Sequence, residues 1–195
     1  MTVVKNKPWD NPSPKGIKVD GSRYSSREFM EKEWEFLWPK VWLLLGREDE
    51  LANPGDYQME EFGRESFIMV RQKDDSVKTF YNVCAHRGAR LINNPWGKTD
   101  AFKCPYHGWV WSLEGKLTEA QDPEDFPEGN PCGKLKLKEV KCETFAGFVW
   151  INMDENAIPL KEWLGPVWED WHAYEIDKWK PYLMQTVTIK CNWKI

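Results

Sequence analysis

Two short pairs of soft side chains constrain this chain more than any other feature. They are Cys84-x-His86 and Cys104-x-x-His107, separated by the seventeen residues 87 to 103. They take two of the five cysteines and two of the three histidines. Turn formers sit beside both pairs: Gly88 follows the first, and Pro105 and Gly108 lie within and after the second. Two such loops can face each other and present four ligands to one site. Five cysteines cannot all pair internally, so they read as metal ligands or buried thiols rather than as staples.

The elements around the loops are short. Residues 1 to 22, with Pro8, Pro12 and Pro14, read as an extended arm. Ser25 and Glu28 form a candidate capping box. Phe29, Met30, Trp34, Leu37, Trp38 and Val41 then follow at helical spacing, until Pro39 ends or kinks the helix. Val41–Leu45 reads as a buried strand, and Asn53-Pro54-Gly55-Asp56 as a turn. Ser66–Arg71 and Val77–Val83 flank a polar turn, which is a hairpin signal. Trp109–Leu113 meets Gly115–Leu117 over a second turn, and Leu135–Val140 and Phe145–Ile151 alternate as strands do. Leu160–Ile176 reads as a helix with a tryptophan-rich face, and Tyr182–Lys190 as a strand. The fold class is therefore mainly β, an antiparallel sandwich or small barrel with flanking helices. The division expected is an arm and helix over 1–39, a ligand-bearing β domain over 40–155, and a linker helix with the first strand of a further domain over 156–195.

Composition removes several functions. The net charge is −4 and no Lys/Arg-dense run appears, so a nucleic-acid footprint is absent. The longest apolar run has five residues, far below the roughly 20 of a membrane span. The first residues lack a signal-peptide core, so a cytoplasmic location is expected. Most of the thirteen tryptophans are expected to pack in the core or at an interface.

Two thiolates and two imidazoles suit one tetrahedral zinc ion. They suit equally a [2Fe–2S] cluster in which histidines replace two cysteines on one iron. Cys-x-His is an unusual opening for a zinc knuckle, and mixed pairs let each loop give one ligand to each iron. With its context the pattern is more specific. "CAHRGARL" and "CPYHGWVWSLEGKL", together with "NPGDY", "FIMVRQKDDSVKTFYNVCAHRG", "GFVWINMD" and "CNWKI", resemble the Rieske domain of the α (terminal oxygenase) subunit of ring-hydroxylating non-haem iron oxygenases. The likeness runs over residues 25 to 195.

That resemblance implies that Cys84 and Cys104 bind the inner iron and His86 and His107 the outer one, with His107 as the electron exit. It implies that Arg87, Tyr106 and Trp109 shield the cluster or face a partner. Respiratory Rieske proteins carry an extra cysteine beside each loop, and this sequence has none there. Cys132, Cys142 and Cys191 read as ordinary thiols and His172 as a solvated side chain. In the resembling family a mononuclear iron, held by two histidines and a carboxylate, follows an Asn-Trp-Lys stretch. Here Asn192-Trp193-Lys194 is followed only by Ile195, so that iron and its catalytic domain are expected to lie beyond the sequence, with no catalytic residue inside it. The family further implies oxygenation of an aromatic or related apolar substrate with O2 and NAD(P)H-derived electrons. It implies a ferredoxin and/or flavin reductase as donor, and a homotrimer or α3β3 assembly. A stand-alone Rieske ferredoxin is the alternative, and a zinc-binding interaction module a third reading.

Overall fold

The computed structural model describes residues 20–180, 182–183 and 185–194; the arm expected over 1–22 lies almost wholly outside them. Among the described residues, ten antiparallel strands form two sheets. The larger runs in the order β1 (Leu43–Arg47), β10 (Phe148–Asn152), β9 (Glu139–Phe145), β4 (Val77–Tyr81), β3 (Glu65–Arg71), β2 (Asp56–Phe62) and β5 (Trp96–Lys98). The smaller is β6 (Ala101–Lys103), β7 (Val110–Ser112) and β8 (Leu117–Glu119). The expected antiparallel sandwich is thus present, with β3 and β4 as the predicted hairpin, Met69 opposite Thr79.

The β3 strand shows why the sheet is covered on both faces. Successive side chains point opposite ways. Ile68 and Val70 face the small sheet, in one core with Phe80, Phe102, Trp109, Trp111, Leu113 and Leu117. Phe67 packs on the other side with Val140 and Ile151, and Met69 with Leu51 and Val149. The buried Gln72 side chain donates to the Leu113 carbonyl at 2.9 Å, tying the β3–β4 turn to the small sheet. Gly115 closes the approach from the other side. A Cβ there would lie 2.6 Å from the Phe80 ring, and its φ is +79°.

Several expectations need correction. The helix cap is Ser26, not Ser25: its hydroxyl accepts from Phe29 N–H at 3.2 Å, because a separate turn, α1 (Ser22–Ser25), absorbs Ser25. The following helix, α2 (Arg27–Phe36), does end before Pro39, as expected. Phe145–Ile151 is not one strand. Ala146 and Gly147, both at positive φ, turn the chain so that Phe145 pairs with Phe148, the geometry of a type I′ hairpin. Leu135–Val140 is a strand only from Glu139. Before that, Leu135 and Leu137 bond to the β7–β8 end, and Lys138 to Tyr81 of the other sheet, so the segment crosses between sheets. The predicted helix over 160–176 breaks at Gly165 (φ +53°) and Pro166, giving α3 (Leu160–Leu164) and α4 (Pro166–Ala173). Pro166 has no N–H to continue α3 and is well placed to start α4.

The described residues of 182–190 form no strand. None of the ten strands pairs with them, and Tyr182, Leu183, Val187 and Ile189 are exposed. An alternating pattern alone does not hold a strand without a neighbour. The tryptophans divide. Trp42, Trp109, Trp111 and Trp150 are buried, whereas Trp96, Trp163, Trp179 and Trp193 are exposed. Trp168 stacks on Phe145 with centroids 3.7 Å apart, docking α4 on the sheet.

Candidate metal centre

Each sheet supplies one loop. The first follows β4 and leads to β5; the second is the connection between β6 and β7. Both are built on one frame. The Cys84 N–H donates to the Ala89 carbonyl at 2.8 Å, and Gly88 N–H donates back to the Cys84 carbonyl at 2.9 Å. The Cys104 N–H donates to the Trp109 carbonyl at 2.8 Å, and Gly108 N–H to the Cys104 carbonyl at 3.0 Å. Gly88 and Gly108 have φ of +72° and +69°, a region that side chains with a Cβ enter at a cost. The frames differ in where they place histidine, two residues after the first cysteine and three after the second.

The result is a layered site. Cys84 and Cys104 are 1% and 2% exposed, side by side at the top of the core. His86 and His107 lie above them, half-buried, with ring centroids 4.8 Å apart. Trp109 stacks on His86 at 4.2 Å with planes 4° apart, and is itself packed on Trp111 and Phe126. Tyr106 covers His107 at 3.8 Å and remains 59% exposed. Arg87 is exposed. All four expected ligands are therefore brought together. Of the three expected supporting residues, Trp109 and Tyr106 touch the imidazoles, and Arg87 acts on His86 through its charge.

Burial, with the charges of His107 and Arg87, pushes the His86 imidazole below its ordinary value, favouring the neutral form that binds metal. Burial also pushes the Cys84 thiol up; the adjacent Cys104 adds to this, while the His86 backbone N–H and the Trp111 indole oppose it. Two neighbouring thiolates in a core need a cation to balance them. His107 Nδ1 and Trp111 Nε1 are buried with no hydrogen-bond partner. Among the described residues no three His, Cys, Asp or Glu side chains converge as they would around one ion. They form instead a thiol pair below an imidazole pair, a donor set that fits a two-iron cluster better than a single tetrahedral zinc.

Sequence reasoning missed Asn82. It is 5% exposed and clamps the first loop. Its Oδ1 accepts from the Leu91 and Ile92 N–H groups at 3.1 and 2.9 Å. Its Nδ2 donates to the Ile92 carbonyl at 2.7 Å and to Ser66 Oγ at 3.2 Å. The available signal was an Asn closing an apolar strand two residues before a ligand, where an amide can replace backbone pairing. Cys132 and Cys142 are partly buried, and Cys191 and His172 are exposed. No helix among the described residues is long and apolar enough to cross a membrane.

Comparison with known proteins follows this geometry. Residues 41–141 match the family model described as the Rieske [2Fe–2S] domain. The chain is 33% identical over 183 residues to the benzene 1,2-dioxygenase subunit alpha of Pseudomonas putida, covering 91% of this chain and 40% of that protein. It is 37% identical over 141 residues to the carnitine monooxygenase oxygenase subunit of Escherichia coli, covering 72% and 37%. Among solved structures, the apo form of the quaternary ammonium Rieske monooxygenase CntA superposes with a TM-score of 0.73 at 34% identity, covering 78% of this chain and 44% of that one. Naphthalene 1,2-dioxygenase with indole in its active site gives 0.67 at 34%, covering 72% and 32%. The chain thus spans about two fifths of the length of the relatives it matches.

Proposed function

Since the chain belongs to the Rieske [2Fe–2S] domain family, we propose that Cys84 and Cys104 hold the inner iron of its cluster and His86 and His107 the outer one. The observation that carries this assignment is the layering: two buried thiols under two half-buried imidazoles, with His107 Nδ1 lacking any protein partner. When bound, the cluster accepts and passes on a single electron. The chain's own residues determine where that happens. The loop frames hold the thiols inside the core. Trp109 fixes the plane of His86 from within. Tyr106 covers His107 on the solvent side, where a redox partner can approach, and His107 is the exit. Arg87 keeps positive charge beside His86.

The whole protein is proposed to be the oxygenase α subunit, hydroxylating an aromatic or related apolar substrate with O2 and NAD(P)H-derived electrons. This is supported by the match to benzene 1,2-dioxygenase, which extends over 91% of the chain and so well beyond residues 41–141. That extent also favours it over a stand-alone ferredoxin. A second substrate class, quaternary ammonium compounds, is supported by the likeness to CntA. Residues 40–155 would form the cluster domain, 1–39 and 156–195 its flanks. The donor would be a ferredoxin and/or flavin reductase, the assembly a homotrimer or α3β3, and the location cytoplasmic. Transfer between subunits is supported by the likeness to a quaternary ammonium Rieske monooxygenase whose structure reveals insights into inter-subunit electron transfer.

Iron and acid-labile sulfide analysis of anaerobically purified protein tests the assignment. Two irons and two sulfides per chain are expected; one zinc and no sulfide would overturn it. His107→Cys should keep a cluster of lower potential, because thiolate restores negative charge. The 195-residue chain, reduced and given ferrous iron, O2 and arenes, should form no hydroxylated product beyond traces that catalase removes.

A further inference from the structure

The N-terminal helices and the last described residues meet around one ammonium group. Glu33 lies on α2 with its side chain only 8% exposed, where a carboxylate is tolerated if it is paired. Its Oε1 accepts from Lys194 Nζ at 2.9 Å and its Oε2 from Trp193 Nε1 at 3.3 Å. The same ammonium lies over three rings, 4.9 Å from Trp193, 5.3 Å from Phe29 and 5.9 Å from Tyr24. All three fall within the roughly 6 Å over which a ring face attracts a cation. Asn192 Oδ1 accepts from the Lys194 N–H at 3.1 Å, a local turn that helps present the lysine to α2. Trp38 holds Trp193 from behind, with centroids 4.8 Å apart. Simple packing of this segment requires none of that chemistry. A methionine at 194 would fill the space and leave Glu33 a buried charge without its cation.

We propose that Tyr24, Phe29, Glu33 and Trp193 form an alkylammonium site, occupied from within the chain by Lys194, that clasps residues 192–194 to α1 and α2. The rings supply negative faces and the carboxylate supplies the counter-charge. The Lys194 side chain is 19% exposed, so solvent screens the pair far less than it screens a surface salt bridge. The site therefore selects a positive charge on an alkyl stem. One consequence rests on the whole-protein reading above, in which Asn192–Lys194 precedes the catalytic domain. Glu33 and Lys194 are then positioning residues, which fix where the chain leaves the cluster domain.

Chemical rescue tests the site. n-Propylammonium is the part of the side chain that Lys194→Ala deletes. Amide exchange of α2 should quicken about tenfold in Lys194→Ala and in Glu33→Gln, and Lys194→Met, which keeps the apolar stem, should behave like Lys194→Ala. n-Propylammonium chloride should restore slow exchange to Lys194→Ala, but not to the double variant that also carries Glu33→Gln. n-Propanol, of similar shape without the charge, should restore neither, and nor should sodium chloride at matched ionic strength. Unchanged exchange in Lys194→Ala overturns the proposal. So does quickened exchange that n-propylammonium leaves as it is, or that n-propanol reverses equally well. None of these readings depends on iron. In the whole oxygenase subunit, Lys194→Ala should lower the hydroxylated product formed per electron consumed, and n-propylammonium should raise it again. Rescued exchange with product per electron unaffected throughout overturns the positioning role. Unaltered protein that contains no iron and no sulfide overturns the ligand assignment above and leaves the clasp standing.

Discussion

Replacing Asn82 with alanine isolates the contribution of one side chain to the first ligand loop. The truncation removes four hydrogen bonds and adds none. Leu91 is 4% exposed, so its N–H loses its partner where water does not readily follow. An unpaired buried group costs about 1–3 kcal/mol. Ile92 is half-buried, and its N–H and carbonyl can be partly recovered by solvent. The total is about 2–4 kcal/mol. With a urea slope of about 2 kcal/mol/M for a domain of this size, the midpoint should fall by about 1–2 M. Anaerobic urea titration followed by tryptophan fluorescence measures it. Amide exchange localises it: Leu91 and Ile92 should lose protection while Val149, buried elsewhere in the large sheet, keeps its own. Iron per chain should drop as well, because His86 lies on the loosened segment. A midpoint within about 0.3 M of the parent, with Leu91 still protected, would refute the clamp.

Gly88→Ala and Gly108→Ala should each cost about 1–2 kcal/mol through positive φ alone, since an added Cβ at Gly88 meets nothing within 4 Å and at Gly108 only a lysine carbon at 3.9 Å; Gly115→Ala should cost more in the same denaturation assay, because its Cβ also strikes the Phe80 ring. Burial pushes the Cys142 thiol up to about 11. The fold therefore favours its protonated form, and this contribution is full below the ordinary 9.0 and is lost as pH rises from there through about 11; urea midpoints from pH 8 to 11 should fall more steeply for the parent than for Cys142→Ala, and iodoacetamide at pH 8 should label exposed Cys191 well before Cys142. Burial raises the Glu33 carboxyl, but hydrogen bonds from Lys194 and Trp193 and the Lys194 charge outweigh it, leaving a net value below the ordinary 4.5. Its contribution is present above that ordinary value and is lost as pH falls through the lower folded one, so Glu33→Gln should abolish one acid-sensitive limb of the stability profile.

The site was more legible than the elements around it. Cysteine and histidine are scarce, so their spacing could be read without knowing what lay between. Strand and helix limits depended on contacts the sequence does not display. Phe145 to Ile151 alternates correctly, yet the reversal at Ala146–Gly147 lacks the Asn or Asp that usually announces such a turn. Gly165-Pro166 was a visible break, overridden by the run of tryptophans at helical spacing on both sides. Tyr182–Lys190 carries a strand pattern, but its described residues have no pairing neighbour among the ten strands. Asn82 was hidden for another reason. Its importance lies in where its donor and acceptor point, and one-letter patterning encodes polarity without direction.

One loop hangs from the large sheet and the other from the small, so the gap between the ligand pairs is not a property of either loop. It is gauged by the thickness of what separates the sheets: Phe80, Leu117 and Trp111, all fully buried, with the Gln72–Leu113 bond acting as a tie rod. The molecule is in effect a pair of callipers whose jaws are the loops and whose spacer is the core. A methylene trimmed from Leu117, far from any ligand, would then narrow the jaws, because close-packed interiors pass on small volume changes rather than absorb them. Spectra of the metal centre would register such a change as an altered geometry between inner and outer ligands, even where the loops themselves are untouched.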